Sequence, residues 1–467
     1  MEPPVNTRSK NPSTLTLDEH AVAASGGELQ HIITGTGALN SLAEVVTTLH
    51  PAGQVLLLRD ATPKTINGVD LVETVRGIIT TALVELEADP ESLVEFVVPA
   101  KAGHDVVANE ETIAAVQEAA QEATLVIGLG SGTIGDISKM AHHDAPLVLV
   151  QTALSVNGFA DPLSVLVLNG AKRTSPSRWP SVLLIDDDVV SQAPARMAQS
   201  GVGDAVAIWS APADWYLSSK LGMGGNYDPN IYLPIREAGM VLQDPDDAVA
   251  RDGLVHALTR GGLQIGMAGS TAPLSGVDHL VSHVLDMAAM AENAEHDYHG
   301  TQVGVATVIA LSLWEIIHER DLLNVDTVEL EYPDDLEQRT RETWNRIDPT
   351  GSLGDESWRA VGNKAKKWAS ATRAAFDAAG DEHREHLTGL TPTAHFAADT
   401  LLRWDAPTKF SQLTPPVDED RARWALLALP FMRDRLTVCD LLLMRGLWND
   451  ELIDEVFARA EHAGGGL

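Results

Sequence analysis

The sequence predicts an α/β domain followed by an all-helical domain, and three observations favour this architecture. The chain has 467 residues, 44% of them hydrophobic, which is enough for two buried cores. Short apolar runs alternate with helical stretches up to about residue 195, whereas long segments rich in Ala, Leu, Glu and Arg follow Pro194. We therefore expect a mobile polar tail over 1–27, an α/β domain over 28–196 and a helical domain over 197–467.

Five apolar runs predict the strands of a Rossmann-like parallel sheet with helices on both faces. Each run is short, rich in Val, Ile and Leu, and closed by Gly, Asp or Pro, as is typical of buried strands. The runs are 54–60, 93–99, 123–130, 146–152 and 181–188. Between them, 67–88 and 109–120 carry apolar residues at helical spacing.

The helical domain is predicted from longer segments that lack strand-like runs. These segments are 247–259, 276–291, 302–319, 334–346, 356–379 and 421–433. Within them, the charged stretch 331–390 is predicted to form a helical hairpin without a catalytic role.

Composition and charge exclude several function classes. The chain has 66 Asp and Glu against 33 Lys and Arg, a net charge of −33, which repels nucleic acid and anionic membranes. Cys439 is the only cysteine, so an internal disulfide or a cysteine-based metal cluster is excluded. The start of the sequence lacks the apolar core of a secretory signal, and no run reaches membrane-spanning length. We expect a cytoplasmic protein without a nucleic-acid or membrane partner.

A glycine-rich segment is the first candidate for chemistry. Gly128-Leu-Gly-Ser-Gly-Thr-Ile-Gly-Asp136 joins a predicted strand to a predicted helix, where backbone N–H groups and the helix dipole favour an anion. A tight turn without a ligand is the alternative. The following strand ends without the acidic residue that holds a ribose in ordinary Rossmann domains, and Asp60 is the candidate for that role.

One carboxylate and three histidines form the second candidate. Asp204, in Gly-Val-Gly-Asp204, is predicted at a helix start, His279 and His283 share one helical face, and His299 opens a helix. A carboxylate with two imidazoles leaves coordination positions open for a substrate oxygen on a divalent metal. The alternatives are a helix N-cap for Asp204 and structural roles for the histidines. Three further histidines are expected to lie outside this set: His142, His143 and His296.

Several motifs in a fixed order carry a resemblance to a known family. They are 130–139, 151–159, 203–204 with 214–215, 275–283, 299–304 and 432–440. Together they resemble the glycerol-1-phosphate dehydrogenases, including the bacterial AraM-type proteins, within the iron-containing alcohol dehydrogenase and dehydroquinate synthase-like superfamily. The resemblance spans roughly residues 29–450 and implies a dehydroquinate synthase-like architecture.

The resemblance also implies a reaction and its cofactors. The family catalyses reversible hydride transfer between NAD or NADP and a ketone such as dihydroxyacetone phosphate. Asp204, His279 and His299 would bind one divalent metal, with zinc as the usual ion and iron or nickel as alternatives. His283 would face the substrate and relay a proton, and Asp136 would lie where cofactor and substrate meet.

The remaining implied contacts divide between the two domains. The dinucleotide would contact Asp60, Gly130, Ser131, Gly132, Thr133, Asp136, Thr152, Ser155 and Asp161. The substrate would contact Asn157, Asp204 and His283. The resemblance places the site in the cleft between a dinucleotide-binding and a metal-binding domain, and we expect a homodimer or higher homo-oligomer.

Three departures from the family pattern affect the substrate prediction. Asn157 stands where the family usually has Asp, Asp161 where it has Ser, and Ile208 where bacterial members often have Lys. The basic candidates for a substrate phosphate are Lys139, Lys172 and Arg173, each with solvated surface charge as its alternative. An acidic chain with Asp161 beside the cofactor favours an uncharged or unusual polyol.

Two alternative functions stay open. A dehydroquinate synthase-like cyclase also uses NAD and zinc, but we would expect Glu at position 204 and a denser set of Lys and Arg around the substrate. A non-catalytic nucleotide-binding relative would be indicated by loss of a ligand, whereas all three are present.

Overall fold

The computed structural model describes residues 13–14, 19–49, 52–100, 106–141, 144–243, 247–324, 329–371 and 380–467. They divide into two compact units. The first contains the described residues up to Leu154, together with Gly158–Leu166 and Thr174–Ala195. The second contains Ser155–Asn157, Val167–Arg173 and the described residues from Arg196 onward. The main division therefore falls one residue before the predicted one, and two short segments of the earlier chain join the second unit.

A seven-stranded sheet organises the first unit. In chain order, the strands of the described residues, including those outside this sheet, are β1 (Ser13–Thr14), β2 (His31–Gly35), β3 (Gln54–Arg59), β4 (Thr65–Ile66), β5 (Val69–Asp70), β6 (Leu93–Val97), β7 (Ala123–Gly130), β8 (Leu147–Gln151), β9 (Leu163–Leu168), β10 (Ala171–Pro176) and β11 (Val182–Asp186). The sheet order is β1-β2-β11-β8-β7-β3-β6, with β1 antiparallel and the others parallel. The remaining strands form two-stranded pairs, β4 with β5 and β9 with β10.

The apolar runs predict the central strands correctly. In β3, β7, β8 and β11 nearly every residue is buried, because helices cover both faces of the sheet. Strand β2 was not predicted, because its mixed HIITG run alternates between more and less buried positions, and the pair β9 and β10 was not predicted either.

Short helices connect these strands. They are α1 (Glu19–Ala24), α2 (Leu42–Leu49), α3 (Leu71–Glu85), α4 (Glu110–Ala119), α5 (Gly132–Lys139) and α6 (Asp187–Val190). Asp70 and Asn109 begin α3 and α4, since each side chain accepts a hydrogen bond from a backbone N–H in the first turn. Helices α2 and α3 pack with the sheet in one hydrophobic core.

The described part of the predicted tail belongs to the fold. β1 pairs with β2, and α1 buries Ala21 completely, because its short apolar segment packs against the first unit. The tail prediction is therefore corrected for residues 13–14 and 19–27. His142 and His143, predicted to be bystanders, lie outside the described residues.

The second unit is helical, as predicted. Its helices are α7 (Ala195–Ala205), α8 (Ala211–Lys220), α9 (Pro229–Met240), α10 (Asp247–Ala268), α11 (Val277–Glu292), α12 (His299–Glu319), α13 (Leu336–Asn345), α14 (Ser352–Ser370), α15 (Asp381–Leu390), α16 (Ala394–Arg403), α17 (Glu419–Leu427), α18 (Val438–Met444) and α19 (Asp450–His462). Helices α13 and α14 pack against each other, which is the predicted hairpin. Helix α12 is apolar and long enough to cross a membrane, but it is almost entirely buried within the protein.

Candidate metal centre and cofactor loop

Three side chains of the second unit converge on one point. The Nε2 atoms of His279 and His299 lie 3.3 and 3.8 Å from Oδ1 of Asp204. One ligand atom from each residue lies within 4.8 Å of the other two, which is the spacing of a shared metal ion. The structure therefore brings together the three residues that the resemblance implies as ligands.

Two glycines allow this convergence. A Cβ on Gly203 would lie 2.1 Å from the carbonyl oxygen of Gly300, and a Cβ on Gly300 would lie 1.9 Å from that of Ser200. Helices α7 and α12 thus touch backbone to backbone, which brings Asp204 to His299. Asp204 lies near the end of α7, so its predicted position at a helix start, and the N-cap alternative, are wrong.

Neighbouring polar groups orient both imidazoles. Nδ1 of His279 donates to the buried Asp278 carboxylate at 2.7 Å, and that carboxylate also accepts the Ser210 hydroxyl at 2.6 Å. Nδ1 of His299 lies 2.8 Å from the Ser282 hydroxyl, which itself donates to the Gln302 side-chain oxygen. In both histidines the Nδ1 proton is therefore engaged, and the Nε2 lone pair is available for a metal.

The charges around the site also fit a cation. Burial lowers the pKa of His279, but hydrogen bonds to Asp204 and Asp278 outweigh it and raise that pKa to about 9. Burial and the charge of His279 lower the pKa of His299 to about 3. Without a metal, a proton on His279 thus balances two buried carboxylates. A carboxylate, two imidazoles and this negative surplus suit a divalent ion such as zinc, iron or nickel.

His283 lies one turn after His279 on α11, with its ring centroid 5.3 Å from that of His299. Its Nδ1 is 2.7 Å from Nη2 of the buried Arg433. A guanidinium has no acceptor, so Nδ1 accepts this hydrogen bond and neutral His283 carries its proton on Nε2. Burial first, and then the charge of Arg433, hold the pKa of His283 well below its usual range. His283 is therefore a hydrogen-bond donor, which does not favour the predicted proton relay.

The segment Ser155–Asn157 also lies at the metal centre. The backbone N–H of Asn157 donates to Oδ2 of Asp204 at 2.8 Å, and the Ser155 carbonyl accepts the Ser200 hydroxyl at 2.9 Å. Nδ2 of Asn157 is buried without a hydrogen-bond partner among the described residues. Asn157 thus combines a backbone role in holding Asp204 with a side-chain amide that is free to donate.

The candidate cofactor residues of the first unit follow three adjacent strands. Asp60, Gly130 and Thr152 lie at the carboxyl ends of β3, β7 and β8, where Arg59 pairs with Leu129 and Gly130 with Gln151. The carboxyl edge of a parallel sheet is where such domains bind nucleotides. Asp60 accepts hydrogen bonds from Lys64 Nζ at 2.7 Å and the Thr62 N–H at 2.6 Å.

The glycine-rich segment joins β7 to α5 as predicted. Ser131 precedes the helix, and Gly132 and Thr133 form its first turn. A Cβ on Gly130 would lie 2.4 Å from Cβ of Ile134, and one on Gly128 would lie 2.4 Å from Oγ of Ser138. These two glycines therefore serve the close packing of α5 on β7, and the first turn of α5 presents the N–H groups suited to an anion.

Lys139 differs from its predicted role as a surface or phosphate-binding cation. Its side chain is fully buried, and Nζ lies 3.1 Å from Asp136 and 3.3 Å from Asp161. It also donates to the carbonyl oxygens of Gly158, at 2.8 Å, and Leu163. Asp161 is thus paired and buried, so the repulsion of a phosphorylated ligand expected from this departure is removed.

The other basic candidates are also paired. Lys172 contacts the fully buried Asp286, which lies 3.0 Å from Nδ1 of His296, and Arg173 forms an ion pair with Glu356 at 3.4 Å. His296 lies outside the group formed by Asp204, His279 and His299, as predicted, and pairs with Asp286 from an exposed position.

Ile208, which stands where bacterial members of the family often have Lys, has a role in packing. Ile208 is fully buried, and a Cβ on Gly239 would lie 3.1 Å from its Cγ2. An apolar side chain therefore fills this position, and it offers no polar group to a ligand.

Sequence reasoning missed the roles of Asp278, Ser282 and Arg433. Asp278 adjoins His279 and Ser282 adjoins His283 along α11, so a search for carboxylates and hydroxyls beside those two histidines would have found them. Arg433 is separated from His283 by 150 positions and carries no local signal.

Comparisons with known proteins agree with this fold and these motifs. Residues 33–194 match the family model of the iron-containing alcohol dehydrogenases. Two curated relatives, from Methanothrix thermoacetophila and Bacillus subtilis, are named glycerol-1-phosphate dehydrogenase (NAD(P)+). Each is 28% identical over 64% of this chain, covering 82% and 74% of the relative.

Solved structures show the same fold over almost the whole chain. A probable glycerol dehydrogenase from Sinorhizobium meliloti has a TM-score of 0.52 at 15% identity, covering 93% of this chain and 97% of the other. A glycerol dehydrogenase from Schizosaccharomyces pombe has a TM-score of 0.53 at 13% identity, covering 93% and 89%. The first unit is thus similar in sequence to the iron-containing alcohol dehydrogenases, and the chain shares its fold with the two glycerol dehydrogenases.

Proposed function

We propose that the protein is a metal- and NAD(P)-dependent dehydrogenase that interconverts the secondary alcohol of a polyol phosphate with the corresponding ketone. The observation that carries this proposal is the convergence of Asp204, His279 and His299, with both imidazole Nε2 atoms directed at one carboxylate oxygen. The relatives' name gives the first substrate pair to test, glycerol-1-phosphate and dihydroxyacetone phosphate.

The chemistry requires a hydride to leave the carbinol carbon while its hydroxyl loses a proton. A divalent metal held by Asp204, His279 and His299 would supply positive charge that stabilises the negative charge developing on the substrate oxygen. The carboxylate of Asp278 and the hydroxyl of Ser282 hold the two imidazoles in orientation. Their role is to fix the ligand geometry before substrate arrives.

The residues around the metal centre would then orient the substrate. His283 carries its proton on Nε2 and would donate a hydrogen bond to a substrate oxygen. The buried amide of Asn157 has unused donors for a polyol hydroxyl. A buried donor without a partner is costly, so a ligand that accepts these hydrogen bonds would bind favourably.

The first unit would bind the dinucleotide. The N–H groups of Ser131, Gly132 and Thr133 at the start of α5 suit a pyrophosphate, and Asp60 on the adjacent strand suits a ribose hydroxyl. A bound dinucleotide would supply or accept the hydride, so one NADH would be oxidised for each ketone reduced.

The test is metal analysis of the purified protein together with an NADH-oxidation assay over phosphorylated and unphosphorylated ketones. His279→Ala should lose the metal and lower kcat/KM at least about 100-fold, because one ligand and its hydrogen bond to Asp278 are removed. The exposed His395 provides the matched control, and His395→Ala should retain metal and activity.

The same assay separates the alternatives. A cyclase would consume a phosphorylated substrate without net NADH oxidation, and a non-catalytic relative would bind NADH without turnover. Full activity in metal-free protein, or in His279→Ala, would exclude the proposed metal centre.

A further inference from the structure

Arg433 is a buried cation beside the metal centre; it lies in the motif 432–440 but has no assigned role. It lies between a short helical turn at Leu429–Phe431 and α18, and its side chain is only 7% exposed. Its Nη2 donates to Nδ1 of His283 at 2.7 Å. A guanidinium has five N–H donors, so one bond to a neutral imidazole leaves most of its hydrogen-bonding capacity unused.

Within the described residues, no carboxylate lies at ion-pair distance from Arg433. Burial first, and then the positive charges of Arg435 and Arg173, lower the pKa of Arg433 to about 9, and only the exposed Asp434 acts in the opposite direction. An isolated buried charge is strongly unfavourable unless an anion accompanies it. The site therefore lacks a negative partner.

The neighbouring arginines are fixed in place around this charge. Arg435 donates to the Ser275 carbonyl at 2.5 Å and to the Thr271 hydroxyl at 2.6 Å, both uncharged acceptors. Arg173 is paired with Glu356 at 3.4 Å. The charge of Arg435 is opposed by Asp434, Asp278 and Asp214, so of these three guanidinium groups Arg433 is the one that depends on Asp434 alone.

We propose that Arg433, supported by the charges of Arg435 and Arg173, forms an anion subsite that binds the phosphate group of the substrate beside His283. The planar guanidinium matches two phosphate oxygens, and a phosphate dianion would supply the missing negative charge. The identification of the anion as a substrate phosphate rests on the proposed dehydrogenase function. It reverses the expectation of an uncharged polyol, which was based on net charge and Asp161.

Binding of inorganic phosphate to the full-length protein tests the subsite without requiring turnover. Calorimetric titration should give saturable binding to the wild type, and Arg433→Gln should weaken it about 10- to 100-fold, the range expected for charge-assisted hydrogen bonds. The control is Arg445→Gln, because Arg445 directly follows the end of α18 and donates to the Leu322 carbonyl. Equal binding by the wild type and Arg433→Gln would overturn the proposal.

A second variant tests the proposal if Arg433→Gln does not fold. If circular dichroism shows that Arg433→Gln is unfolded, Arg433→Lys keeps the charge but loses the paired donors, and should bind phosphate about tenfold more weakly. Acetate distinguishes the class of anion: the subsite should prefer phosphate, and equal or tighter acetate binding would identify a carboxylate site and overturn the phosphate assignment.

Kinetics connect the subsite to the reaction and separate two failures. Arg433→Gln should raise KM for dihydroxyacetone phosphate about 10- to 100-fold but change kcat/KM for dihydroxyacetone much less. Equal losses for both ketones would indicate a structural role and overturn the subsite, while the dehydrogenase function would stand. Arg433-dependent phosphate binding without NADH oxidation by any ketone would refute the dehydrogenase function, while the anion subsite would stand.

Discussion

Two buried cations, Lys139 in the first unit and Arg433 in the second, have opposite surroundings. Lys139 has two carboxylates within 3.3 Å and three carbonyl acceptors, so its charge and its donors are satisfied by the protein. Arg433 has one neutral acceptor, His283, and its charged neighbours are mostly positive. Burial is therefore shared by both residues, and the presence or absence of a counter-ion distinguishes a structural cation from one prepared for a ligand.

The same comparison explains the departure at position 161. Asp161, where the family has Ser, is held against Lys139 and accepts the Leu163 N–H at 2.8 Å. An added carboxylate at this position is thus compensated within the first unit. It carries no information about the charge of the substrate, whereas the uncompensated Arg433 does.

The largest expected effect is the loss of stability on removing Lys139. Lys139→Met leaves Asp161 and the buried carbonyls without their partner and should lower the free energy of unfolding by about 3–5 kcal/mol at pH 7. The matched variant Arg433→Met removes an unpaired charge and should change that free energy by no more than about 1 kcal/mol. Urea denaturation of both full-length variants measures the difference. Similar losses for the two would contradict the distinction between them.

Asp161 should make the free energy of unfolding depend on pH, by less than the loss expected for Lys139→Met. Burial raises the pKa of Asp161 from 3.8 to about 6, although Lys139 opposes this. Between these values the folded protein retains a proton that the unfolded chain has released, so the free energy of unfolding falls as pH rises from about 4 to 6.

The comparison with Asp161→Ser isolates this contribution. The stability of the wild type relative to the variant should fall by about 2 kcal/mol from pH 4 to 7 and then stay constant. Urea denaturation at several pH values measures it, with Asp420→Ser as the control because Asp420 is exposed. Parallel curves for the wild type and Asp161→Ser would show that Lys139 cancels the effect of burial.

Local sequence patterns were enough to predict most of the fold and the metal-binding histidines. The strands β3, β7, β8 and β11 follow from unbroken apolar runs, because both faces of this sheet are covered. His279 and His299 were found because each lies in a recognisable motif at the start of a helix.

Contacts between distant segments could not be predicted in the same way. The position of Asp204 at the end of α7 depends on the backbone contact between Gly203 and Gly300, which no local pattern reveals. Arg433 lies in an Arg-Asp-Arg sequence that is typical of a solvated surface. Only the tertiary structure shows that its side chain is buried against His283.

The smallest expected effect belongs to a third cation, Lys64, whose pair with Asp60 is only partly buried. Burial alone would raise the pKa of Asp60, but the hydrogen bond and charge of Lys64 outweigh it and lower that pKa below 3.8. The resulting stability is present at neutral pH and is lost as pH falls through the lowered pKa. Asp60→Asn should therefore cost about 0.5–1 kcal/mol at pH 7 and almost nothing near pH 2.

A double-mutant cycle with Asp60→Asn and Lys64→Met measures the coupling between these two side chains by urea denaturation. A coupling of about 0.5–1 kcal/mol would place this pair well below Lys139, because water still reaches both partners. A coupling as large as the loss in Lys139→Met would mean that full burial is not what makes the Lys139 cluster strong. The inference from Arg433, which depends on the cost of an unpaired charge in a buried site, would then be weakened with it.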